Sequence, residues 1–192
     1  MSEQLHSQLP RDARRIVVRG TSGTGKTTLA RAIGAAIGAP HVELDSIFHQ
    51  PDWTGLDDHA FRARVADVVA EPAWVVCGNY RQVADLLLSR ADTLVLYDLP
   101  RRTVMARVVR RTLWRAARRA ELWNGNKEQW RSVLSRDPER SVILWSWTTH
   151  SRRAEEMRAL AASPPDGVRV VLLSTIDDER LFRAGLPVAV RR

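Results

Sequence analysis

The sequence predicts an α/β fold: a five-stranded parallel sheet with helices on both faces and a helical insert. Three observations carry that prediction. Five short apolar runs, rich in β-branched residues, alternate with segments of helical spacing, as strands buried on both faces do. The first run leads directly into a glycine-rich segment, Gly20 to Thr27, and then into a helical pattern. About 70 residues separate the fourth and fifth runs, too many for an ordinary crossover and enough for a lid or small helical subdomain.

The first strand is Arg15-Ile16-Val17-Val18-Arg19, stopped by Gly20. From Lys26 to Gly38, Leu29, Ala32, Ile33, Ala36 and Ile37 repeat at helical spacing, and Gly38-Ala39-Pro40 ends the helix. His41 to Asp45 reads as the second strand. Asp57 to Ala70 reads as a helix with Phe61, Val65, Val68 and Val69 on one face and Asp57 or Asp58 as N-cap. The third and fourth strands are Trp74 to Cys77 and Thr93 to Tyr97, with a short helix, Val83 to Leu88, between them. An arginine-rich helix follows Pro100. After a loop at Trp123 to Asn126, a Trp-rich helical stretch runs to Ala162. A turn at Ser163 to Gly167, a strand from Val168 to Leu173 and a helix from Asp177 to Ala184 complete the chain. The reading is one domain over residues 1–192 with an insert at about 101–162.

Composition narrows the function. The formal charge is +8, but eight arginines and no acid lie between Arg101 and Arg119, and the rest of the chain is balanced. One segment attracts anions, which argues against a surface basic all over. A single cysteine, Cys77, excludes an internal disulfide and a cysteine-based zinc cluster. Met1 to Arg15 holds no apolar stretch of signal-peptide length, and no run reaches the roughly 18 apolar residues of a membrane span. The expected location is the cytoplasm, with no membrane partner. Only two lysines occur, Lys26 and Lys127, so a lysine here is a rare choice.

Gly20-Thr21-Ser22-Gly23-Thr24-Gly25-Lys26-Thr27 fits G-x-x-x-x-G-K-[ST], between a strand and a helix. Glycines let backbone N–H groups turn inward around phosphate oxygens, and the following helix presents its positive end. Lys26 is placed to reach the β and γ phosphates, and the Thr27 hydroxyl to ligate Mg²⁺. Gly20, Ser22, Gly23, Thr24, Gly25, Lys26, Thr27 and Thr28 are the candidate nucleotide-binding residues. A GTPase would add D-x-x-G and N-K-x-D, but Asp98-Leu99-Pro100-Arg101 lacks the glycine and Asn126-Lys127-Glu128-Gln129 lacks the aspartate.

A small-molecule kinase needs an acceptor-site carboxylate, an acid for Mg²⁺ and arginines for the transferred charge. Asp45 stands at the carboxyl end of the second strand, where ligands of parallel sheets sit, with Glu43 on the same strand face. It is placed to take a proton from an acceptor hydroxyl or hold Mg²⁺ through water; alternatively it N-caps a short helix at Ser46-Ile47-Phe48. Asp98 ends a strand and is a candidate metal ligand, or fixes the turn before Leu99-Pro100. Arg81, after Gly78-Asn79-Tyr80, is placed to grip an acceptor anion.

Gly20 to Thr27, Leu44-Asp45-Ser46-Ile47-Phe48 with Pro51-Asp52-Trp53, Trp74 to Tyr80, and Leu96-Tyr97-Asp98-Leu99-Pro100 occur in this order. In them the chain resembles the adenylate-kinase-related P-loop proteins often labelled topology-modulation proteins, over roughly Ile16 to Leu173. The resemblance implies a nucleoside-monophosphate-kinase type of P-loop NTPase fold, with a hinged lid, ATP, Mg²⁺ and phosphoryl transfer to a small acceptor. Where adenylate kinases have Asp-Gly-Phe-Pro-Arg, this chain has Cys77-Gly78-Asn79-Tyr80-Arg81. Arg81 matches in type, while Cys77 replaces the acid and moves metal duty toward Thr27, Asp45 or Asp98.

After Pro100, Met105, Val109 and Leu113 repeat at i+4 with Val104 and Val108 beside them, and Arg107, Arg111, Arg115 and Arg119 repeat on another side. The reading is an apolar anchoring face opposite guanidinium groups aimed at phosphates, with Arg107 and Arg111 leading. Five of the seven tryptophans, Trp114, Trp123, Trp130, Trp145 and Trp147, crowd into the insert. Core packing is their first reading, and stacking on nucleic-acid bases the second. His41, His49, His59 and His150 lack metal-site spacing, though His49 and Trp53 lie where they would line an acceptor pocket. The sequence thus points to an ATP-dependent phosphotransferase with Lys26, Asp45, Arg107 and Arg111 at the chemistry. The second candidate is a nucleotide-dependent nucleic-acid-binding or regulatory protein.

Overall fold

The computed structural model describes residues 8–118, 120–126, 135, 137, 138 and 141–187. All five strands lie in one parallel sheet: β1 (Arg15–Arg19), β2 (His41–Glu43), β3 (Trp74–Cys77), β4 (Thr93–Tyr97) and β5 (Arg169–Leu173), in spatial order β2-β3-β1-β4-β5. Parallel register pairs Val18 with Cys77 on one side and with Val95 on the other. The carboxyl ends of β1, β3 and β4 therefore emerge side by side.

The period-two alternation of side chains divides the core into two layers. One face carries Ile16, Val18, Val75, Cys77, Val95, Tyr97, Val171 and Leu173. Against it pack α1 (Lys26–Ile37), α5 (Arg101–Arg118) and α7 (Ile176–Ala184) through Leu29, Ile33, Val104, Val108 and Phe182. The other face carries Val17, Trp74, Val76, Leu94, Leu96 and Val170. It is covered by α3 (Asp58–Ala70), α4 (Ala84–Leu88) and α6 (Val142–Ala162) through Phe61, Val65, Val69, Leu87 and Met157. Every residue of β3 and β4 is buried, which is why both read as unbroken apolar runs.

Most boundaries fall within two residues of the sequence reading, and Asp57 caps α3 by accepting from the Ala60 N–H at 2.9 Å. Three expectations are corrected. The second strand stops at Glu43, and Leu44–Phe48 form a short helix, α2, with Asp45 in its first turn and Glu43 as N-cap. Glu43 and Asp45 therefore do not share a strand face, and Asp45 is not the cap. The buried stripe of α5 is Val104, Val108, Thr112 and Ala116, with Leu113 43% exposed. Both stripes satisfy i+4, but the one with small residues lets α5 approach the glycine-rich loop. Lastly, Trp114, Trp145 and Trp147 are exposed instead of packed. Trp130, Arg119 and much of the stretch expected to be helical before Val142 lie outside the described residues. No described helix is long and apolar enough to cross a membrane.

Candidate active site

The Gly20–Thr27 segment is the link between β1 and α1. Gly25 caps α1 at φ 98° with no side-chain cap and no acid in the first turn, so the helix N-terminus is left for an anion. The loop is fastened to itself by Thr24, whose Oγ1 donates to the Thr21 carbonyl at 2.9 Å. It is fastened to β3 by Asn79, whose Nδ2 donates to the Gly20 carbonyl at 2.6 Å while its Oδ1 accepts from the Gly20 N–H at 3.3 Å. Lys26 and Thr27 open α1, and Thr28 beside them is exposed.

Helix α5 lies directly on this loop. At Gly23, with φ 89°, a Cβ would collide with the Val108 side chain. One position round from the buried stripe, Arg107 Nη1 donates to the Thr24 carbonyl at 2.8 Å and Arg111 Nη2 to Ser22 Oγ at 3.1 Å. Arg107 also pairs with Glu179 of α7 at 3.0 Å, and Glu179 accepts from Tyr97 at 3.1 Å and from Arg183. Burial and the Glu179 charge push the Tyr97 hydroxyl above its ordinary range, keeping it a donor. Of the described arginines of this segment, Arg107 and Arg111 touch the loop, and Arg102, Arg110 and Arg118 are exposed to solvent.

Cys77 ends β3 beneath α1, 3.7 Å from Thr27 Oγ1 and 3.4 Å from His41 Nε2. Burial pushes its thiol up to about 11, against the contrary influence of Thr27 and Lys26, so it is neutral near pH 7. The charges of Glu43 and Asp45 also push the thiol up, while Glu43 itself pairs with Arg31 at 3.3 Å. Among the described residues, no group of three or more His, Cys, Asp or Glu side chains is arranged to hold a metal ion.

Asp45 accepts from the Tyr80 hydroxyl at 2.7 Å, and His49 Nε2 lies 3.4 Å from the same hydroxyl. Burial and the Asp45 charge drive the Tyr80 hydroxyl far above its ordinary range, so it stays protonated and donates. Burial lowers the His49 pKa against the pull of Asp45, favouring the neutral ring. Phe48 and Phe61 pack around Tyr80 with centroids 4.9 and 5.1 Å away.

The Trp123–Gly125 turn folds back over this region. Trp123 Nε1 donates to Glu43 Oε2 at 3.1 Å, and its ring stacks on His49 at 6.0 Å. Asn124 donates to the Ser46 and His49 carbonyls. Asn126 donates to the Gln50 carbonyl and accepts from the Trp53 N–H, both at 2.9 Å. Asp52 and Trp53 both have positive φ, 58° and 57°, a strained turn that Asn126 holds in place.

Arg81 and Asp98 both pair with side chains of α6, whereas Asp45 is held by Tyr80. Arg81 is mostly exposed and pairs with Glu156 of α6 at 3.1 Å. Asp98 continues the alternation of Leu94 and Leu96, so it faces α6, where it pairs with Arg158 at 3.5 Å. There it lines an open cleft of about 440 Å³ with Pro100, His150 and Ser151. Burial raises its pKa despite Arg158 and His150.

No protein-family model matches the chain, and no curated protein matches it. Among solved structures, it is similar to a gluconokinase from Sinorhizobium meliloti 1021, with a TM-score of 0.49 and 21% identity over 92% of this chain and 93% of that one. It is also similar to a sugar kinase from Janibacter sp. HTCC2649, with a TM-score of 0.47 and 18% identity over 91% and 92% of the two chains.

Sequence reasoning missed several participants. Asn79 and Tyr80 stood in the Gly-Asn-Tyr segment after a buried strand, and that placement was the available signal for them. Glu179, Trp123, Asn124, Asn126 and Glu156 act through partners 70 or more positions away, and no local pattern marks them.

Proposed function

We propose that the protein is an ATP-dependent P-loop kinase that moves the γ-phosphate to a nucleotide, a nucleoside or a similar compact acceptor. The observation that carries this reading is the placement of Arg107 and Arg111 on the phosphate loop, at Thr24 and Ser22. Arg111, together with Arg107 whose charge is met in part by Glu179, puts positive charge against a loop of that sequence, where phosphoryl transfer develops negative charge.

In this reading Gly20 to Thr28 hold the triphosphate. Lys26 sits on the β and γ phosphates, and Arg107 and Arg111 neutralise the transferred group. Asp45, held by Tyr80, takes the proton of the acceptor hydroxyl. Arg81 binds the acceptor at some distance from Asp45. The Thr27 hydroxyl is the protein ligand for Mg²⁺, and its neighbour, a neutral thiol at 3.7 Å, competes for it only weakly. Glu43 and Asp45 add negative charge on the same side. Sites of this kind use one or two protein oxygens beside phosphate and water. When bound, the ion supplies charge neutralisation on the phosphate oxygens. Asp98, engaged by Arg158, is the weaker metal candidate. The chain acts as one domain in the cytoplasm; α5 and α6 of the expected 101–162 insert pack on the two faces of the sheet, which leaves the lid role to the part between them. Its relatives are the adenylate-kinase-related proteins it resembles at Leu44–Phe48 and Gly78–Tyr80.

A thermal-shift screen in the presence of a non-hydrolysable ATP analogue tests the reading. A hydroxylated metabolite should add stabilisation beyond the analogue alone. Binding of neither analogue nor metabolite would refute it.

One observation favours a second reading, nucleotide-dependent binding of nucleic acid. Trp114, Trp145 and Trp147 are exposed, with Arg118 over Trp114 at 5.1 Å and Arg101 over Trp147 at 4.8 Å. Rings and guanidinium groups together suit stacked bases and phosphates. Oligonucleotide binding that falls steeply with salt and is lost in Trp145→Ala and Trp147→Ala would support it.

A further inference from the structure

Three arginines outside the phosphate loop's contacts converge where β1 and β3 end. Arg19 closes β1 on the α6 side of the sheet and lines a narrow hollow with Gly78 and Tyr80. Arg81 opens the turn directly after Tyr80, and Arg153 reaches in from α6 with only 13% of its side chain exposed. One carboxylate answers them. Glu156 accepts from Arg81 Nη2 on Oε1 at 3.1 Å and from Arg153 Nη1 on Oε2 at 2.8 Å, with Arg152 Nε a further 3.8 Å contact. Arg19 forms no ion pair among the described residues. Burial lowers its pKa and repulsion from Arg153 adds to that, while Glu156 opposes both. Positive charge exceeds negative here, and partly buried guanidinium groups are costly without counter-charge.

The opposite side of Tyr80 has the reverse polarity. Asp45 and Glu43 stand there among the rings of Phe48, His49 and Trp123. Arg31 pairs with Glu43 at 3.3 Å and offsets part of that charge, so Asp45 is the main repulsion on that side and an anionic group is drawn to the arginines. The two Glu156 oxygens, one on each of two guanidinium groups, sit as the oxygens of a bound carboxylate or phosphate would.

We propose that Arg19, Arg81 and Arg153 form the subsite for an anionic group, a carboxylate or a phosphate, on the acceptor, and that Glu156 fills it as an internal stand-in which the acceptor displaces. Calling the ligand an acceptor rests on the kinase reading; the anion subsite does not. Glu156 then competes with every acceptor, so removing its charge tightens binding, while removing an arginine weakens it.

The test uses the full chain saturated with Mg²⁺ and a non-hydrolysable ATP analogue, which fills the phosphate loop and prevents it from capturing the probe. The probes are glycerol, glycerate and glycerol 3-phosphate, which share a carbon skeleton and differ in charge, and binding is followed by calorimetry. The expected result is binding of one or both charged probes and none of glycerol at the same concentration. Which anion binds better distinguishes carboxylate from phosphate. Glu156→Gln should tighten the charged probe by about tenfold, and Arg19→Gln and Arg153→Gln should weaken it by about tenfold or more. Affinity for the analogue should stay within about twofold of wild type, which excludes misfolding. Equal behaviour of glycerol and the charged probes, or no gain in Glu156→Gln, overturns the proposal. Failure of the kinase reading is a separate result, namely no acceptor-stimulated ADP release, and the binding comparison is read independently of it.

Discussion

The two sides of the proposed site, the phosphate side and the acceptor side, are built differently. On the phosphate side, consecutive residues from Gly20 to Thr27 present backbone groups, and their order is dictated by turn geometry. On the acceptor side, Asp45, Tyr80, His49, Trp123 and Asn126 come from three distant segments, joined by side-chain contacts and, at Asn126, by backbone groups of the Gln50–Trp53 turn. A backbone-built site depends on a few irreplaceable positions, whereas a side-chain network spreads its energy over many. Mutations on the two sides should therefore fail in different ways.

The largest effect belongs to the phosphate side. Lys26→Ala should cost turnover on the order of 10³-fold, measured as steady-state ADP release. Asp45→Asn should lower kcat by about 10²-fold or more while leaving affinity for an ATP analogue near wild type. An equal loss of analogue affinity would move Asp45 to the phosphate side of the comparison. Tyr80→Phe removes one hydrogen bond to Asp45 and should lower kcat/KM by about tenfold, again without changing analogue affinity. Asn79 bridges the two sides, so Asn79→Ala should cost about 1 kcal/mol of stability in denaturant unfolding and weaken the analogue detectably.

The smallest effect is in pH. Burial lowers the His41 and His49 pKa values, so the unfolded chain takes their protons first. Their contribution to stability is fully present above the ordinary value of about 6.5 and declines as pH falls through it toward the folded values. Tm should therefore drop between pH 7 and pH 5, and the drop should shrink in His49→Gln.

The same contrast governs what was legible in the sequence. Strands β3 and β4 could be read to the residue because both faces are buried and every position but Thr93 is apolar. The phosphate loop was legible because glycine, lysine and threonine are fixed there by backbone geometry. The second strand was read two residues too long: His41 to Asp45 alternates as a strand does, and a five-residue helix is too short to show a period. On α5 two stripes obeyed the same spacing, and tertiary contact with Gly23, invisible to periodicity, chose the one with small residues. Trp114, Trp145 and Trp147 were misread because apolar area was taken as burial, whereas arginines lie over two of these rings; Trp123 does pack, on His49. The loop from Trp123 to Asn126 was legible as a loop but its docking was not, since its partners, the Glu43 side chain and backbone groups of a turn, lie over 70 residues earlier.

The most direct measurement of the central claim is ADP release from Mg²⁺–ATP across a panel of nucleoside monophosphates, nucleosides and hydroxylated metabolites, with Lys26→Ala as control. The account predicts that at least one compound raises the rate well above the background hydrolysis, and that Lys26→Ala abolishes the increase. Bound ATP with no compound on the panel stimulating its turnover would contradict it.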